Sequence, residues 1–121
     1  MTAHNSCSVT AICSSFPGTT LDNTFGDDVD VHRIGNKIFA LVNTGGGEIV
    51  TVKAAPEDVA ALVSEHVSVT PGYYMNKKHW ITVDLSTGFD ATELEELVAE
   101  SYRLVLEALP KRLQLAIQPD T

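Results

Sequence analysis

Apolar positions along the chain change their spacing several times, and each change marks an element. Val9, Ile12 and Cys13 are spaced as the inner face of a short helix, with Ser6 or Ser8 as its cap. Phe16-Pro17-Gly18 ends that helix, because proline restricts the residue before it and glycine permits a tight turn. Thr19 to Asp28 is polar and reads as an irregular loop anchored by Phe25. Val29 to Ile34 alternates as a strand with one wet face. Gly35-Asn36 suits a two-residue hairpin turn, since both residues tolerate positive φ. Lys37 to Val42 returns as a strand whose unbroken apolar run, Ile38 to Val42, predicts a central position or cover on both faces. Gly45-Gly46-Gly47 predicts a second turn and Glu48 to Lys53 a third strand. That completes an antiparallel meander.

Pro56, followed by Glu57 and Asp58, opens a helix whose positive end favours those carboxylates. Val59, Leu62, Val63, His66 and Val67 share one face of it, which makes His66 a half-covered residue at the helix edge. Trp80 to Leu85 alternates as a further strand, and Ser86-Thr87-Gly88 turns the chain. Asp90 and Glu93 then stand in capping-box spacing at the start of the longest helix. Its core stripe is Leu94, Leu97, Val98, Ser101, Tyr102, Val105 and Leu109, and the Ser101 and Tyr102 hydroxyls serve packing. Pro110 stops it, and Lys111 to Ile117 forms a last short helical turn. The expected architecture is α+β, a two-layer domain with an antiparallel sheet packed against helices and one domain across residues 1–121.

Composition narrows the functional classes. Of 121 residues, 44% are hydrophobic and 20% charged, enough apolar surface for a folded core. The formal net charge of −8 argues against bulk electrostatic attraction to nucleic acid or an anionic membrane, and leaves room for a local basic patch. Cys7 and Cys13, six apart, fall on different faces of a helix and read as free thiols in a reducing compartment. No stretch approaches the ~20 apolar residues of a membrane span, and Met1 to Ser15 lacks a signal-peptide pattern, so a cytoplasmic location is expected.

Enzymatic chemistry finds no constellation. No serine or cysteine has an evident base partner, and His4, His32, His66 and His79 lack metal-ligand spacing. The glycine run lacks the lysine and following helix of a phosphate loop. Asp22, Asp27, Asp28 and Asp30 crowd one segment without the spacing of a calcium loop and read as a solvated acidic loop. The expectation is therefore a non-enzymatic protein with no cofactor and no metal.

Chemistry-bearing side chains concentrate in Pro71 to Thr82, P-G-Y-Y-M-N-K-K-H-W-I-T, which contains no carboxylate. The candidate ligand or DNA contacts are Lys53, Tyr73, Tyr74, Asn76, Lys77, Lys78, His79 and Trp80. Tyr73 and Tyr74 could stack on a base or line a small pocket, or pair as one buried and one exposed ring. Trp80 reads first as an anchor of its strand to the long helix. Lys77, Lys78, Lys53, Arg33 and Lys37 form one basic patch if the hairpin and this loop lie together.

In Phe16-Pro17-Gly18-Thr19-Thr20, Lys37-Ile38-Phe39-Ala40-Leu41, Pro71-Gly72-Tyr73, Met75-Asn76-Lys77, His79-Trp80 and Leu109-Pro110-Lys111, the chain resembles the MmcQ/YjbR family of small bacterial proteins. The resemblance implies a CyaY-like, or frataxin-like, α+β fold and carries the family's DNA-binding label. The chain departs from the family pattern at Tyr74, where a histidine is common, at Ile81, where Asn or Ser is, and at Ala55, where a capping Asp or Ser is usual. Two readings of the Tyr73–Trp80 stretch follow, a DNA contact or a pocket for a small anionic or aromatic molecule.

Overall fold

The apolar run Ile38 to Val42 takes an interior place in a six-stranded sheet, and Phe39, Ala40, Leu41 and Val42 are fully buried. The computed structural model describes residues 6–43, 49–72 and 76–117. In chain order the elements are α1 (Ser6–Ser14), β1 (Thr19–Asp22), β2 (Val29–Ile34), β3 (Lys37–Asn43), β4 (Ile49–Lys53), α2 (Pro56–Glu65), β5 (Val69–Pro71), β6 (Trp80–Asp84), a 3-10 turn (Leu85–Thr87), α3 (Ala91–Glu107) and α4 (Lys111–Ile117). The strand order is β1-β2-β3-β4-β6-β5, with every pairing antiparallel. No helix among the described residues is long and apolar enough to cross a membrane.

Two strands were not expected. Thr19–Asp22 pairs with β2 from Thr19↔Ile34 to Asp22↔Val31, where an irregular loop was read. As an edge strand it has no buried residue and its two middle residues are exposed, so it lacks the alternation that betrays a half-buried strand. Val69–Pro71 is the opposite edge, three residues with only Val69 buried. At the other boundary, β6 ends at Asp84 and Leu85 begins the 3-10 turn; the Asp84 carboxylate accepts from Ser86 N–H (3.0 Å) and Ser86 Oγ (2.6 Å). The turn expected at residues 45–47 lies outside the described residues.

Ala40, Val42, Val50, Val52, Ile81 and Val83 share the face covered by α1 and α3, in one cluster with Val9, Cys13, Val98 and Tyr102. Burial pushes the Cys13 thiol up to about 12, so it is an inert core group. The Cys7 side chain is outside what the structure describes. On the opposite face Thr51 and Thr82 are buried and share a hydroxyl hydrogen bond of 3.0 Å.

Pairing of β2 with β3 skips Phe39, since His32 lies opposite Ala40 and Arg33 opposite Ile38. The bulge aims Phe39 into the core, edge-on to Phe16 and Tyr102, whose rings stack on each other at 4.7 Å. His32 beside the bulge is fully buried, and neither ring nitrogen has a hydrogen-bond partner among the described residues. Desolvation lowers its pKa, against a smaller upward pull from Asp30.

The expected capping box is half formed. Asp90 caps α3 by accepting from Glu93 N–H at 2.9 Å, while the Glu93 carboxylate meets His66 Nε2 at 2.9 Å. Glu93 is drawn off because His66, at the end of α2, comes within ion-pair reach of the first turn of α3.

Candidate functional site

Strand register decides which charges meet. Ile34 lies opposite Lys37, Ala40 opposite Val52, and Lys53 opposite Trp80, so the end of β2, the start of β3, the end of β4 and the start of β6 lie at one end of the sheet. Arg33, Lys37 and Lys53 belong to this end, and Lys77 and Lys78 sit in the turn that enters β6. The chain leaves α3 here as well. Leu109 packs against Gly35 of the hairpin turn, and Ile117 against Gly18 before β1, so α4 carries Lys111 and Arg112 across the same end. Every lysine and arginine of the chain except Arg103 is thus at one end. Arg103 lies mid-helix in α3, held by Glu100 and Glu107, which raises its pKa.

The opposite end holds Asp84 and the acidic start of α3, while Asp22 reaches across to Arg33. Glu57 and Asp58 are nearer the basic end, in the first turn of α2, where the helix's positive end favours them.

At the basic end the sheet forks. The β3–β4 ladder stops at Ala40↔Val52, and the buried Ser101 hydroxyl enters the gap. Ser101 Oγ donates to the Phe39 carbonyl (2.6 Å) and accepts from the Lys53 N–H (2.8 Å), replacing a strand-to-strand bond with a side chain of α3. Beyond the fork lies a cleft of about 540 Å³. Its walls are Ile38, Trp80, Val105 and Leu109, its cations are Arg33, Lys37 and Lys53, and among the described residues no carboxylate lines it. Arg33 Nε is held by Asp22 at 2.7 Å. Hydrogen bonds from the Thr24 hydroxyl and N–H, and then the Arg33 guanidinium, hold the Asp22 carboxyl down to about 2. Lys37 and Lys53 have no ion-pair partner among the described residues.

Of the sequence-derived candidates, Lys53 and Trp80 line this cleft. Asn76, Lys77, Lys78 and His79 are exposed in the turn before β6, where Asn76 Oδ1 accepts from Lys78 N–H (2.9 Å) and the Asn76 carbonyl from His79 N–H (3.0 Å). Tyr73 and Tyr74 lie outside the described residues. The loop is pinned at its base by Gly72 N–H to the Trp80 carbonyl, 2.7 Å. A side chain at Gly72 would put its Cβ 2.6 Å from Trp80 Cβ, so glycine permits this approach. Sequence reading did not place Val105 and Leu109 beside the basic residues. Their helical spacing marked them only as core, and nothing local reveals that α3 ends under the hairpin turn. Among the described residues no group of three or more His, Cys, Asp or Glu is placed to hold a metal ion.

Comparison with known proteins agrees with the motif resemblance. The chain is 36% identical over 96 residues to the uncharacterised protein YbdF of Escherichia coli O157:H7, covering 78% of this chain and 79% of that one. It is 30% identical over 80 residues to the uncharacterised protein YjbR of Escherichia coli K12, covering 65% and 68%. A crystal structure of a Deinococcus radiodurans protein with a DUF419 domain superposes with a TM-score of 0.87 at 28% identity, over 95% of this chain and 88% of that one. A Pseudomonas syringae protein gives a TM-score of 0.63 at 28% identity, over 72% and 86%. The YjbR family pattern itself matches residues 14–104. With the shared fold and motifs, this places the chain in the YjbR family.

Proposed function

We propose that this protein binds the phosphate backbone of DNA, without catalysis, through the basic end of its sheet. The supporting observation is the segregation of charge: on a chain of net charge −8, all lysines and arginines but Arg103 share one end. Lys37, Lys77, Lys78, Lys111 and Arg112 are exposed there. Repulsion of the acidic remainder would orient the molecule, so that only this end meets phosphate. The frataxin-like fold implied by the family resemblance then serves as scaffold for that surface, and helices on one face of an antiparallel sheet are in keeping with it.

A ¹⁵N-HSQC titration with a short mixed-sequence duplex tests this at low and near-physiological salt. The expected shifts centre on Asn76 to Trp80 and Gly35 to Lys37. Three phosphate contacts give a log–log salt slope of about −2.7, from ~0.9 per phosphate. Lys77→Glu with Lys78→Glu should abolish the shifts at the higher salt. An unmoved spectrum at low salt would sink the reading.

A second reading keeps the Tyr73–Trp80 stretch as a pocket for a small anionic or aromatic molecule, favoured by the Gly72 N–H to Trp80 carbonyl bond at the base of that stretch. It predicts weak salt dependence and loss of binding in Tyr74→Ala.

A further inference from the structure

We propose that the cleft between the β2–β3 hairpin and the last turns of α3 binds a small organic anion with a flat, apolar body. Of the described residues in the Tyr73–Trp80 stretch, the cleft takes in Trp80 and not the exposed turn of Asn76 to His79. A volume of about 540 Å³ is in the range of small-molecule sites, whose walls are mostly apolar with a few placed polar groups. The walls here follow that pattern. Trp80 offers an aromatic surface, with Ile38, Val105 and Leu109 beside it.

The charge pattern selects the head group. Among the described residues three cations and no carboxylate line the cleft, and Asp22 already neutralises Arg33, so Lys37 and Lys53 remain for an incoming anion. A phosphate ester or carboxylate meets both as charge-assisted hydrogen bonds. The end of α3 repels it less because its last carbonyls are occupied: Val105 accepts from Ala108 N–H (3.2 Å), Leu106 from Leu109 N–H (3.0 Å) and Glu107 from Gln114 Nε2 (3.2 Å). The cleft is also built rather than incidental. Were β3 and β4 zipped past Ala40 and Val52, the gap would close; the buried Ser101 hydroxyl bonded to both strands holds the fork open. Selectivity then follows from the two halves of the site: a bare anion lacks the body, and a neutral ring lacks the head.

Trp80 is the chain's single tryptophan, so its one indole cross-peak reports on the cleft without assignment. The test is an NMR titration with phenyl phosphate, with inorganic phosphate and benzyl alcohol as the two halves of the probe. Phenyl phosphate should shift the indole peak saturably, and each half should bind at least about tenfold more weakly. Lys37→Gln with Lys53→Gln should weaken phenyl phosphate about tenfold or more, with the amide spectrum otherwise kept. Lys77→Glu with Lys78→Glu should leave it unchanged, which separates this site from the exposed lysine turn whether or not DNA binds. An indole peak unmoved at millimolar phenyl phosphate overturns the proposal. So does unchanged affinity in the Lys37/Lys53 variant, which would leave those lysines as counter-charges to the end of α3.

Discussion

The long helix α3 borders two clefts of nearly equal volume and opposite character. Along its first half, a groove of about 560 Å³ against α1 is lined by Ile12, Phe16, Thr92, Glu95 and Glu96. At its last turns, the cleft of about 540 Å³ is lined by Arg33, Lys37, Lys53 and Trp80. Both have apolar walls, so shape does not distinguish them. Charge does, and so does support. The acidic groove lies between two helix surfaces, whereas the basic cleft sits where a bulge, a fork and two close backbone approaches converge. A side-chain constellation is held most accurately where packing and supporting hydrogen bonds lock its rotamers. The difference teaches that a site in this fold is made by interrupting the sheet.

The comparison breaks most severely if the basic end cannot close. Gly72→Ala would drive a Cβ to 2.6 Å from Trp80 Cβ and 3.0 Å from the Trp80 carbonyl oxygen, neither of which can swing aside. Overpacking of this kind should cost about 3 kcal/mol by urea denaturation, with the Trp80 indole resonance displaced. Next in size is Ser101→Ala, which leaves the Phe39 carbonyl and the Lys53 N–H without their partner at the fork. A loss of about 2 kcal/mol is expected, accompanied by faster amide exchange at Lys53 and weaker phenyl phosphate binding.

His32 sharpens the contrast through pH. Its pKa is lowered in the folded protein, so the unfolded chain takes up a proton first. The stability it contributes is whole above the ordinary value of 6.5 and is lost as pH falls below it, toward the lower folded value, with a limiting slope of about 1.4 kcal/mol per pH unit. His32→Leu should remove that slope from a stability–pH series. At neutral pH it should also stabilise by about 1 kcal/mol, since two unpartnered buried nitrogens disappear. Persistence of the slope in the variant would assign it elsewhere.

Gly88 is the control at the acidic end. It has φ +80°, yet nothing lies within 4 Å of an added Cβ, so Gly88→Ala should cost only about 1 kcal/mol of backbone strain. The smallest effect belongs to Arg103→Ala. Its pairs with Glu100 and Glu107 are exposed, and the melting temperature should not change measurably.

Much of the fold was legible because it is written in local periodicity. The central placing of β3 follows from an apolar run with no polar break, and α3 from a stripe at helical spacing capped by Asp90. The half-buried His66 at the edge of α2 also stands as read, whereas Val67, read on the same face, lies beyond the end of the helix and is exposed. Thr19–Asp22 and Val69–Pro71 were not legible, because an edge strand takes its conformation from a neighbour distant in sequence. For the site, the sequence identified Lys53 and Trp80 but not their company of Val105 and Leu109.

By itself, then, the sequence determined the core stripe of α3, the turns at Gly35-Asn36 and Ser86 to Gly88, the Asp90 cap and the family, all properties of neighbours along the chain. Only the tertiary structure decided which charges share an end, where the sheet forks, and that Ser101 stands in the gap. Those depend on strand register and on where α3 terminates, and both are set by contacts such as Gly35 with Leu109 that no local window contains.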